Sequence, residues 1–115
     1  MAAGGMALAL TTLGAVFIAR PRDAARLFGI PAGRDSRPYV RALGFRDIAL
    51  ALMLATGARN GSPGLRSVAG AAALIPACDY LLVTRLNPRA RAQRALHVIS
   101  GVSLLAIACM APFRR

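Results

Sequence analysis

Four residues in this sequence carry acid–base or ion-pair chemistry where such side chains are costly: Arg46, Asp47, Asp79 and His97. Each interrupts an apolar run. Arg46 and Asp47 stand at the mouth of "RALGFRDIALALMLA", residues 41–55, Asp79 lies in "IPACDYLLV", and His97 in "ALHVISG". They include half of the chain's four acids and its single histidine. A histidine beside carboxylates can shuttle protons near neutral pH. An arginine fork can hold an anionic or carbonyl group bidentately and stabilise developing negative charge. His97, Asp47 and Asp79 are therefore the candidate catalytic residues, and Arg46 a candidate ligand-binding residue. Tyr80, adjacent to Asp79, offers a hydroxyl to the same site, although anchoring at a membrane interface is the commoner role of such an aromatic.

Other chemistries lack their residues. Two aspartates and a histidine match the ligand types of a facial metal site, but a neighbouring arginine repels a cation, so no metal is expected. No cofactor is expected either. With no lysine there is no Schiff base, with no GxSxG or Gly-rich phosphate loop there is no nucleophile elbow or nucleotide cradle, and one histidine cannot ligate haem from both sides. Cys78 and Cys109 lie in apolar segments without a CxxC pair, and read as small buried hydrophobes rather than as disulfide or zinc ligands.

The elements that must position these residues are apolar helices. The chain has 115 residues, 57% hydrophobic and 17% charged, where soluble domains run nearer a quarter charged. Residues 1–19 hold no charged side chain, and residues 95–113 hold none apart from His97. Each stretch is long enough to cross a hydrocarbon core of about 30 Å. The segment after Asp47 has only 11 uncharged residues, 48–58, or roughly 16 Å of helix. It reaches spanning length only if it starts near Ala42, with Arg46 and Asp47 inside. The next segment, 67–84, spans only with Asp79 inside.

Pro21, Pro31, Pro38, Pro63, Pro88 and Pro112 all fall at or beyond segment ends, as helix boundaries require. Pro76 is the exception. It cannot donate to the carbonyl of Ala72, so a kink is expected three residues before Asp79. The expectation is one all-α integral membrane domain over residues 1–115: a four-helix transmembrane bundle of two antiparallel hairpins, with helices near 3–19, 42–58, 65–85 and 91–111. Between the first two, "DAARLFGI" reads either as a short interfacial helix, with Leu27, Phe28 and Ile30 towards lipid and Arg26 towards water, or as an ordered loop. The small residues of "VAGAAALIPA" permit close helix packing.

All 15 basic residues are arginine, and the net charge is +11. Only 5% of residues are aromatic, too few stacking platforms for nucleic acid, which is excluded as a partner. Anionic lipid head groups suit the charge better, at about 1 kcal/mol per juxtamembrane arginine. Arg20, Arg22, Arg26, Arg34, Arg37 and Arg41 lie in the first connection, and Arg85, Arg89, Arg91 and Arg94 in the third. Arg59, Arg66, Arg114 and Arg115 fall on the other side. The positive-inside rule then puts connections 20–41 and 85–94 in the cytoplasm and both termini outside a cell membrane. The first segment carries its charges after the apolar run, the wrong order for a cleavable signal, and reads as a retained helix.

That topology brings the four polar residues to one depth. Asp47 is six residues from Arg41, Asp79 six from Arg85, and His97 six from Arg91, about 9 Å of helix in each case. Adjacent Arg46 and Asp47 point about 100° apart and should not pair face to face. Their neighbours three and four positions away are apolar, as are those of Asp79, so partners must come from another helix, lipid, water or a ligand. One reading is a structural knot, in which Arg46 bridges both aspartates, His97 donates to a carboxylate, and the cluster fixes packing in a non-catalytic subunit or scaffold. The other is a pocket that binds, or processes by acid–base chemistry, a small lipophilic molecule with a polar group.

"PRDAARLFGIP", "YVRALGFRDIALAL", "IPACDYLLV" and "ALHVISG" together resemble the domain-of-unknown-function family DUF4267 of small four-helix membrane proteins, over nearly the whole chain. The most specific piece is the RAxGxRD pattern at 41–47. The family typically carries a glycine shortly after the Arg-Asp pair, where this chain has Ala51. The resemblance implies fold and membrane residence, and brings no activity. Small multidrug exporters share the length and helix count but use a first-helix glutamate and membrane tryptophan, and this chain has neither residue type.

Overall fold

Prolines and glycines set the helix ends. The computed structural model describes residues 2–111, apart from the side chain of Ser62. Pro112, Arg114 and Arg115 lie outside the described residues. All regular structure within them is helical: α1 (Ala2–Ala19), α2 (Pro21–Phe28), α3 (Arg37–Arg59), α4 (Ser62–Ala72), α5 (Leu74–Leu86) and α6 (Arg91–Met110). α4 and α5 run on as one long helix, interrupted at Ala73. The interruption follows from Pro76, which lacks the N–H that the Ala72 carbonyl would accept. α3 starts five residues earlier than its apolar run suggests, because Pro38 fits a first helical turn, where its missing N–H costs nothing.

The segment between α1 and α3 contains a true helix, α2, but its faces differ from expectation. Leu27 is exposed, whereas Phe28 is only 6% exposed and packs inward with Pro21, Ala24 and Ala25. The spacing 21, 24, 25, 28 is one face of a helix, and the two alanines let that face approach the bundle closely. Gly29 ends α2 in the left-handed conformation, φ 89°, and its N–H donates to the Ala25 carbonyl at 3.0 Å.

α1 and α3 lie backbone to backbone. A Cβ placed on Gly44 would stand 2.6 Å from the Gly14 carbonyl oxygen, and one on Gly14 would stand 2.6 Å from the Gly44 oxygen. α4 packs on α3 and α6, and α5 on α6. Two buried apolar clusters result. Ala3, Leu54, Ala69, Ala72, Leu104 and Ile107 form one. Phe17, Ala24, Phe28, Val40 and Val83 lie in the other. The small residues of α4 do pack closely, with Ala69 fully buried.

The outer surface is apolar. Leu8, Leu52, Leu74, Leu81, Ile99 and Val102 are each 60% or more exposed, a pattern foreign to water-soluble monomers. Cys78 and Cys109 are free and exposed, not buried as their apolar setting suggested. A small hydrophobe need not face inward when the outside is itself oily. The helices Ala2–Ala19, Pro63–Leu86 and Arg91–Met110 are long and apolar enough to cross a membrane. α3 has 23 residues, length enough, but its charges keep it from matching them in apolarity.

Candidate functional site

Arg46 leaves α3 towards α5 and bridges two carboxylates. Its Nη1 donates to Asp79 Oδ1 at 3.1 Å and its Nη2 to Asp79 Oδ2 at 3.1 Å. The same guanidinium turns back on its neighbour, with Nε donating to Asp47 Oδ1 at 3.2 Å and Nη2 at 3.0 Å. Adjacent helical residues thus do pair here, against the expectation from helical spacing. The long arginine stem closes the angular gap, because Asp79 draws its head to a point beside Asp47. Asp47 and Asp79 are 3% and 7% exposed, so the ion pairs are largely withdrawn from solvent.

His97 does not donate to a carboxylate. Its Nε2 lies 3.3 Å from the Phe28 carbonyl oxygen, and a carbonyl only accepts, so Nε2 carries the proton of that bond. The ring meets the Phe28 ring edge to face, with centroids 4.6 Å apart. Phe28 is the last residue of α2, where a helical carbonyl lacks its own donor. Gly29 delivers that carbonyl: a Cβ on it would come within 2.8 Å of Gln93 Cβ and 3.0 Å of Val83 Cγ1. Glycine alone allows α2 to end this close to α5 and α6.

Arg46, Asp47, Asp79 and His97 all line one cavity of about 330 Å³ between the helices, together with apolar side chains such as Leu10, Leu50, Ile75 and Leu104, and with Ser100. That volume is at the small end of ligand pockets. Tyr80 does not line it. Tyr80 points from α5 a helical step away and borders a separate, shallower groove along α6, which His97 and Gly101 also border. Among the described residues, no three His, Cys, Asp or Glu side chains are grouped to hold a metal ion.

The residues that place these groups were not singled out by type. Gly14 and Gly44 seat α3 on α1, and Phe28 lends a backbone oxygen. Gly44 does have a signal, lying inside "RALGFRD" two residues before Arg46. The Phe28 carbonyl has none, since every residue carries one.

The sequence model of the family described as Domain of unknown function (DUF4267) matches residues 7–111. The chain belongs to the DUF4267 family. The matched stretch contains every residue of the cavity's polar wall, so the site lies within the DUF4267 domain itself. No curated protein and no solved structure matches the chain.

Proposed function

We propose that this DUF4267 protein is a four-helix membrane bundle whose interior binds a small lipophilic molecule carrying a polar group. The observation that supports this reading is the open side of the ion cluster. A cluster serving only to lock helices together would be packed shut, whereas this one forms part of the wall of a cavity of about 330 Å³. α3 is the fourth crossing in this reading, with Arg46 paired to Asp79 from α5 and to its neighbour Asp47 instead of to lipid. The Arg-rich connections face the cytoplasm and anionic head groups, with both termini outside.

We propose roles within that reading from the contacts described above. Asp79 occupies the arginine fork, so Arg46 orients the carboxylates instead of gripping a ligand's own anion. His97, held at Nε2 by the Phe28 carbonyl, keeps its second ring nitrogen without a partner among the described residues. Acid–base processing of the bound molecule would run through His97, with Asp47 as the carboxylate not bound at both oxygens. Tyr80, outside the cavity, is proposed as an interface anchor.

A cavity-filling substitution tests the binding. Ile75→Trp adds bulk to the wall while leaving every polar side chain of the cavity in the sequence. In detergent-purified protein, the fluorescence of a small lipophilic probe such as 1-aminoanthracene should rise saturably with the unmodified chain and not with Ile75→Trp. An identical response from both would mean that the probe enters the micelle and not the cavity, and the reading would fail.

A further inference from the structure

The polar wall of the cavity is one positive charge short. One guanidinium faces two carboxylates, and all three groups are shared out among themselves. The other titratable residue on the cavity, His97, donates to a backbone carbonyl and to neither aspartate. An uncompensated charge in an apolar site is costly, so either a bound cation or a proton supplies the balance.

The hydrogen-bond account shows where. Asp79 uses both oxygens on Arg46. Asp47 uses only Oδ1, which accepts from both Nε and Nη2. Its Oδ2 accepts no hydrogen bond from any described residue, although Asp47 is 97% withdrawn from the surface, being 3% exposed. With Nε2 of His97 committed as a donor, Nδ1 of a neutral ring is an acceptor without a partner among the described residues. The wall of the cavity therefore includes Asp47, with a vacant acceptor at Oδ2, beside an excess negative charge and the His97 ring, within an apolar lining.

Resting on the binding role argued above, we infer that the ligand class is a lipophilic primary or secondary amine, bound as its ammonium. Its N–H group reaches Asp47 Oδ2, and its hydrocarbon part fills the space between Leu10, Leu50 and Leu104. An alcohol would bring one donor and no charge. A carboxylate would meet a second negative charge with the arginine fork already taken. A quaternary ammonium would bring the charge without a donor.

Titration calorimetry on the purified full chain in a neutral maltoside detergent at pH 7 distinguishes these. An alkyl ammonium is protonated there, given an amine pKa of about 10.4. The probes are octylamine, octanol, octanoate and octyltrimethylammonium. Octylamine is expected to bind at least roughly tenfold tighter than the other three, about 1.4 kcal/mol. Asp47→Asn should remove that advantage while leaving octanol within about twofold, a tenfold change again being about 1.4 kcal/mol. Equal affinity for octylamine and octanol would mean that a proton balances the site, and would overturn the inference while leaving a lipophile-binding cavity. Tighter octanoate would overturn it in the same way. No binding of any probe would remove both the inference and the binding role. The comparison in the unmodified protein decides the matter even where Asp47→Asn fails to fold.

Discussion

Arg46 donates to both carboxylates but grips them differently, and the difference predicts unequal substitutions. Asp79 takes two parallel bonds from another helix, each 3.1 Å, so its loss strands a guanidinium among helices. Asp79→Asn should lower stability by about 3–5 kcal/mol, as for other broken buried pairs, measured by thermal or denaturant unfolding in detergent. Asp47→Asn should cost less than about 2 kcal/mol, because Arg46 keeps its bidentate partner and the cluster becomes neutral. Equal losses for the two would contradict an open site and favour a purely structural knot. His97→Ala should cost about 1–3 kcal/mol by stranding the Phe28 carbonyl, and His97→Gln should recover part of it, since an amide N–H can donate there. At this scale the residue types and their common layer were legible in the sequence, because a charge in an apolar run is conspicuous. The Arg46–Asp47 contact was legible only within the structural-knot reading, in which Arg46 bridges both aspartates; helical spacing alone argued against it, since such rules take no account of a long side chain drawn sideways by a third group.

At the scale of elements, close approach of α1 and α3 sets the position of Arg46. Gly44→Ala would put a methyl 2.6 Å from the Gly14 carbonyl oxygen, a backbone atom that cannot rotate away, so the two helices must part. A loss of about 1–3 kcal/mol is expected from such overpacking. Gly70→Ala is the control on α4, where nothing lies within 4 Å of the added carbon. There, helix propensity should leave stability unchanged or raise it by up to about 1 kcal/mol. Similar losses at both glycines would mean that the α1–α3 contact is not what Gly44 protects. Helix ends near Pro21, Pro63 and Pro88 and the break before Pro76 were readable, because proline acts on its own chain. The inward turn of Phe28 was not. Lipid and protein interior are equally apolar, so hydrophobicity alone does not tell an α2 face which of the two it meets.

The whole molecule is an apolar bundle with arginine gathered in two connections. In a cell it should resist extraction from membranes by alkaline carbonate, and a reporter fused after residue 115 should be active only outside. A reporter active in the cytoplasm would reverse the orientation and with it the side from which the cavity's polar layer is measured. Length and composition by themselves pointed to an all-α chain of four spanning helices, and three of the described helices are long and apolar enough to cross a bilayer, because spanning depends on local apolar length against a thickness of about 30 Å. They also pointed Arg46, Asp47 and Asp79 to partners beyond their own turns, which held for the Arg46–Asp79 pair and not for Asp47, whose partner is the adjacent Arg46. Which partners they found was decided only when distant helices met: Asp79 for Arg46 across 33 positions, and the Phe28 carbonyl for His97 across 69. The same meeting left a cavity beside the ions and kept Tyr80 out of it. Such pairings depend on helix rotation and on two glycine contacts, and no periodicity within a single segment encodes either.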